Sequence, residues 1–74
     1  MDRNKNLIKR FGVKLRYLRN LQGLSQIQLA EKANLNFNFI GQIERAETNP
    51  SLKTLIAIAD ALDIDVKDFF EFTF

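Results

Sequence analysis

The stretch QIQLAEKANLNFNFIGQIER, residues 26–45, reads as two short helices joined by a tight turn. Leu29, Ala30 and Ala33 share one face of the first segment at helical spacing, and Ile40 and Ile43 share one face of the second. Ala30 is small enough for the second helix to cross it closely. Asn34 stands where the chain must reverse, and Asn tolerates a left-handed backbone better than any residue but Gly. Asn36 is a good N-cap for the helix that follows. Two helices joined in this way form a helix-turn-helix, which presents its second helix to the major groove of DNA.

Working outward, Ile8, Phe11, Leu15 and Leu18 form a stripe that predicts a first helix over about 7–22. Lys9, Arg10, Lys14, Arg16 and Arg19 take much of the remaining circumference. Gly23 stops this helix. Ser25 caps the second, over about 26–33, and the third runs over about 37–45. Residues 46–50, AETNP, form a loop. Either Ser51, or Asn49 with Pro50 in the first turn, starts a fourth helix that ends near Leu62. Its apolar face carries Leu52, Leu55, Ile56, Ala59 and Leu62. Asp65 caps a last helix over about 66–71, with Val66, Phe69 and Phe70 toward the core. Residues 1–6, MDRNKN, read as a flexible arm, and 7–74 as one domain. No strand pattern or repeat interrupts this order, so the fold class is all-α, a compact bundle of five helices.

A chain of 74 residues is enough for one small domain, and 46% hydrophobic residues can supply its core. Cysteine is absent, which excludes disulfides and thiolate metal sites. Histidine is absent too, which removes the commonest general base and metal ligand. Catalysis would rest on carboxylates, hydroxyls or lysines. Glu31, Asp60, Asp63 and Asp68 fall at positions expected to be exposed, and Ser25 and Ser51 read as caps. The expectation is therefore no enzyme, no metal, no cofactor and no small-molecule substrate. There is no signal peptide and no apolar run long enough for a bilayer, so the expected setting is the cytoplasm, without a membrane. Charge is unevenly spread. Residues 1–45 hold nine Lys and Arg against three acids, and residues 46–74 two Lys against six acids. A basic half suits a polyanion, with the acidic half facing away. An ordinary solvated surface would show the same numbers.

The order SQxxLA (Ser25 to Ala30), IxxIER (Ile40 to Arg45) and NPSLxTL (Asn49 to Leu55), then a short acidic link and a final helix, resembles the Cro/phage-repressor (XRE-like) helix-turn-helix family. The resemblance covers roughly residues 7–70. Each motif is weak alone; together, in this order, they are quite specific. The resemblance implies a lambda-repressor-like fold of five helices that regulates transcription as a homodimer on a palindromic operator in double-stranded DNA. The small size is most similar to stand-alone controller proteins of restriction-modification systems, with small phage or mobile-element repressors close behind.

The resemblance also implies roles for individual residues. Gln26 matches the glutamine that fixes the domain against a phosphate. Phe37, Asn38 and Gln42 fall where the family reads bases. Asn38 and Gln42 lie four apart on one face, and each side chain can pair with an adenine edge. Phe37 departs from the usual polar residue and could pack only on thymine methyls. Phe39 either lies near the DNA backbone or covers the core. Gly41 inside a helix costs about 1 kcal/mol, which a close approach of the second helix or of DNA would explain. Arg45, Asn49, Ser51 and Lys53 surround a loop that grips phosphates in the family, whereas Glu47 there would repel them. Arg19 and Glu44 match an ion pair between the first and third helices. Phe69, Phe72 and Phe74 crowd the end by which family members dimerise; Phe72 and Phe74 either do so or fold back over the core. The rival reading is a protein-interaction module on the same fold, such as the antitoxin partner of a toxin.

Overall fold

The computed structural model describes Asn4 and residues 6–72. Among the described residues four α-helices and one 3₁₀ helix follow in order: α1 (Leu7–Leu21), α2 (Gln26–Lys32), α3 (Phe39–Glu44), α4 (Leu52–Leu62) and the 3₁₀ helix Val66–Phe70. The fold is all-helical, but the last element is a 3₁₀ helix rather than the expected α-helix. Of the expected arm, Asn4 O accepts from Leu7 N at 3.1 Å, leading directly into α1. Met1, Asp2, Arg3 and Lys5 lie outside the described residues.

Three of these elements start on a local cap, and all four α-helices stop on a local turn. Ser25 caps α2 reciprocally: its Oγ accepts from Gln28 N at 3.0 Å, while Gln28 Oε1 accepts from Ser25 N at 2.8 Å. Ser51, rather than Asn49, caps α4, with Oγ accepting from Thr54 N at 3.1 Å. Before the 3₁₀ helix, Asp68 Oδ2 accepts from Asp65 N at 3.1 Å. All four α-helices end on the same device, a left-handed residue that folds the chain back onto the last carbonyls. These residues are Gly23, Asn34, Ala46 and Asp63, with φ of 69°, 56°, 59° and 58°. The residue after each bonds back to a carbonyl: Leu24 to Arg19, Leu35 to Ala30, Glu47 to Gln42 and Ile64 to Ala59. Leu24, Leu35 and Ile64 then turn inward against the core. The α3 terminus differs, because a charged residue, Glu47, follows its left-handed position.

Helix α3 begins two residues later than its apolar spacing predicts. Asn36 does supply a side-chain acceptor, but to a turn: its Oδ1 accepts from Asn38 N at 3.0 Å. Its carbonyl accepts from Phe39 N at 2.9 Å. The N-cap of α3 is therefore Asn38, and Phe37 stands before the helix. Asn and Asp make such local turns because a short side chain reaches the backbone two residues on.

The core is built from Phe11 and Leu15 of α1, Leu29 and Ala30 of α2, Ile40 and Ile43 of α3, Ile58, Ala59 and Leu62 of α4, and Phe69. Helix α3 packs on α1 and α2, α4 packs on α2, and the 3₁₀ helix closes against α1 and α4. Phe69 meets Phe11 edge-on at 5.1 Å between ring centroids. Four residues assigned to the core by spacing face outward: Ile8, Leu52, Ile56 and Phe70. Ile58 replaces the two from α4. That helix, LKTLIAIADAL, is apolar on most sides, so spacing alone does not choose its buried face. Among the described residues no helix is long and apolar enough to cross a membrane.

Candidate nucleic-acid interface

Three helices are tied together at one carboxylate. Glu44 is the last residue of α3. Arg19, in the last turn of α1, donates to it twice: Nε to Oε2 at 2.6 Å and Nη2 to Oε1 at 3.0 Å. Gln26, the first residue of α2, donates Nε2 to the same Oε1 at 2.9 Å. The remaining Arg19 nitrogen, Nη1, bonds to Leu24 O at 2.7 Å. The two charged side chains are only 10% and 3% exposed. Among the described residues no buried side-chain nitrogen or oxygen lacks a partner. Two-point bonding between charged groups fixes orientation as well as distance. The network thus sets the angle at which α3 leaves the body of the domain.

The outer edge of α3 is free of such duties. Phe37 is 60% exposed, Asn38 is exposed and Gln42 half-exposed. Gln42 N bonds to Asn38 O at 3.2 Å, so the two side chains stand one helical turn apart on the same edge. Asn38 makes no capping bond with its side chain. Phe39 differs: it is half-buried and packs against the core.

Gly41 is buried beneath two of the expected phosphate contacts. A Cβ there would stand 2.9 Å from Arg45 Nη1 and 3.0 Å from Gln26 Oε1. Both obstacles are the ends of flexible side chains, so the glycine leaves room over α3 for Arg45 and for Gln26. Arg45 also faces its neighbour Glu47. Nε donates to Oε2 at 2.9 Å and Nη2 to Oε1 at 3.1 Å. The hydrogen bond from Arg45 holds the Glu47 carboxyl below its ordinary pKa, and the carboxylate in turn raises that of the guanidinium. Asn49, Ser51 and Lys53 are exposed along the loop and the first turn of α4.

The aromatic C-terminus divides. Phe69 was expected both in the core and at an interface; it is fully enclosed by its own chain and has no surface to offer a second copy. Phe70 stacks on Phe11 at 5.7 Å. Phe72 turns back to meet Phe70 edge-on at 6.4 Å, with the Arg10 guanidinium 4.2 Å above its ring. Phe74 lies outside the described residues.

One positioning residue is absent from the sequence expectations. Gly12, buried in the middle of α1, lies against the end of α3. A Cβ there would come within 2.8 Å of both Ile43 O and Glu44 O. These are backbone atoms and cannot swing aside. The available signal was a glycine in a helix interior, which is costly without a packing reason.

Comparison with known proteins agrees with this geometry. Residues 15–69 match the family model described as Helix-turn-helix, HTH_3. The chain is 49% identical over 55 residues to the immunity repressor protein of Bacillus phage phi105, covering 74% of this chain and 38% of that protein. It is 48% identical over 52 residues to Control protein C.SmaI of Serratia marcescens, covering 70% of this chain and 62% of that one. The chain thus spans less than two thirds of either relative. Among solved structures, the restriction-modification controller protein C.AhdI from Aeromonas hydrophila superposes with a TM-score of 0.84 at 40% identity, over 85% of this chain and 96% of that one. The chain belongs to the HTH_3 helix-turn-helix family of DNA-binding domains.

Proposed function

We propose that the chain is a sequence-specific transcription regulator that binds a palindromic operator as a homodimer in the cytoplasm, with segment 37–45 in the major groove. The observation that carries this is the division of labour on α3. Its inner side and its end are locked by Ile40, Ile43 and Glu44, while Phe37 and Asn38 are left exposed and Gln42 half-exposed. Polar side chains free of structural duty, on an element held at a set angle, are what base readout needs. Asn38 and Gln42 hydrogen-bond to base edges and Phe37 packs on thymine methyls. Gln26, Arg45, Asn49, Ser51 and Lys53 hold phosphates on either side. Phe74, with the half-exposed face of Phe72 where it turns back, supplies the dimer contact. The repressor and controller names of the relatives support the same reading.

The test is selection of bound duplexes from a random pool, followed by binding across a salt series and sedimentation. The expected site is two-fold symmetric, with half-site centres about 34–36 Å apart. Binding should weaken steeply with salt, and the chain should sediment as a dimer. Failure to enrich any sequence would favour a protein-interaction module instead. The exposed ring of Phe37 would then mark its contact surface.

A further inference from the structure

Arg45 and Glu47 flank Ala46, whose φ of 59° turns the chain sharply at the end of α3. The turn brings the two side chains together in a two-point bond, at 2.9 Å and 3.1 Å. This is also the geometry by which a guanidinium grips a phosphate. Glu47 therefore occupies the Nε/Nη2 edge of Arg45 that a phosphate would use. Nη1, the remaining end of the guanidinium, lies over Gly41. The contrast with Glu44 is informative. Glu44 is enclosed and holds three donors from Arg19 and Gln26. Glu47 is 53% exposed and faces an Arg45 that is 56% exposed. A pair this open to water is weak enough to be exchanged.

We propose that Glu47 is a built-in competitor of DNA phosphate for Arg45, which lowers affinity for every duplex by the same factor and so sets the protein concentration at which the operator fills. The proposal rests on the reading of α3 as a recognition helix. In the free chain the carboxylate neutralises Arg45. On DNA a phosphate must displace it, and the released carboxylate then lies near the backbone and is repelled. Both effects act on the phosphate term, which carries no sequence information and dominates non-specific binding. Base discrimination is left untouched.

The test compares the full chain with Glu47→Gln, which keeps the volume and removes the charge. Two probes are used: a duplex selected by the parent protein and a mixed-sequence duplex of equal length, each across a salt series. Thermal midpoints check that the exposed change leaves the fold intact. Glu47→Gln should bind both duplexes about three- to tenfold tighter. Its log–log salt slope should be steeper by about one per chain. Arg45→Met should weaken binding of both duplexes, and by a larger factor in the Glu47→Gln background than in the parent. Unchanged affinity and slope would overturn the proposal, as would weaker binding, which would make Glu47 a support for Arg45. A gain confined to the selected duplex would also overturn it, by placing Glu47 in base readout. If neither protein binds either duplex, the recognition-helix reading fails and takes the proposal with it. A parent that binds normally beside an unaltered variant sinks the proposal alone.

Discussion

Arg19 and Glu44 meet across 25 positions of sequence, two nitrogens of one on two oxygens of the other, almost out of contact with water. Removing one member leaves the other charge buried, which costs far more than the pair itself is worth. Glu44→Ala should therefore lower stability by about 3 kcal/mol or more, the range for broken buried pairs. Arg19→Met in the same chain should recover part of the loss. A denaturant double-mutant cycle measures this, and a coupling near zero would show that the charges act independently.

Gly12 sets how closely α1 approaches the end of α3. Gly12→Ala gains about 1 kcal/mol of helix propensity. The new methyl meets two backbone carbonyls at 2.8 Å, so the helices must separate. Overpacking of this kind costs roughly 1–3 kcal/mol, more where no atom can yield. The expected result is a net loss of stability in chemical denaturation. DNA affinity should also fall, because Glu44 moves with α3. By contrast Gly41→Ala meets only side-chain ends and should leave stability nearly unchanged.

Ala46 takes a left-handed backbone that costs an L-residue roughly 1–2 kcal/mol. Glycine carries no such strain but loses more chain entropy, about 0.5–1 kcal/mol. Ala46→Gly should stabilise the domain by about 0.5 kcal/mol, the small difference between these terms. Ala46→Val, branched at Cβ, should destabilise it by more than that. Thermal melts of the two variants should move in opposite directions from the parent.

The Asn38 side chain makes no capping bond, and Gln42 is half-exposed one turn further along. Truncating either to alanine should change stability by no more than about 0.5 kcal/mol. On a selected duplex each change should relax preference at a single base position, by about 1–3 kcal/mol for a lost bidentate contact. The readout is binding to a panel of singly substituted sites. Equal loss on every duplex would reassign these residues to the backbone.

What the sequence by itself determined is local. Ser25 and Gln28 form a reciprocal cap, and Gly23 and Asn34 end helices, because neighbours in sequence suffice to make those bonds. The stripe on α1 and the small Ala30 announce a helix-turn-helix, and family motifs mark Arg19, Gln26 and Glu44. Tertiary structure decided the rest. Helix α4 is apolar around most of its surface, so packing against α2 and the 3₁₀ helix selects Ile58 over Ile56. Asn36 can cap a helix or close a turn; both bonds are local, and composition does not choose between them. Gly12, a glycine inside a helix, points to a close approach but not to its partner. It acquires one where Ile43 and Glu44, some thirty residues away, bring their carbonyls to within 2.8 Å of a missing methyl. Periodicity reports which side of a helix is apolar; the depth at which two helices cross depends on atoms from both.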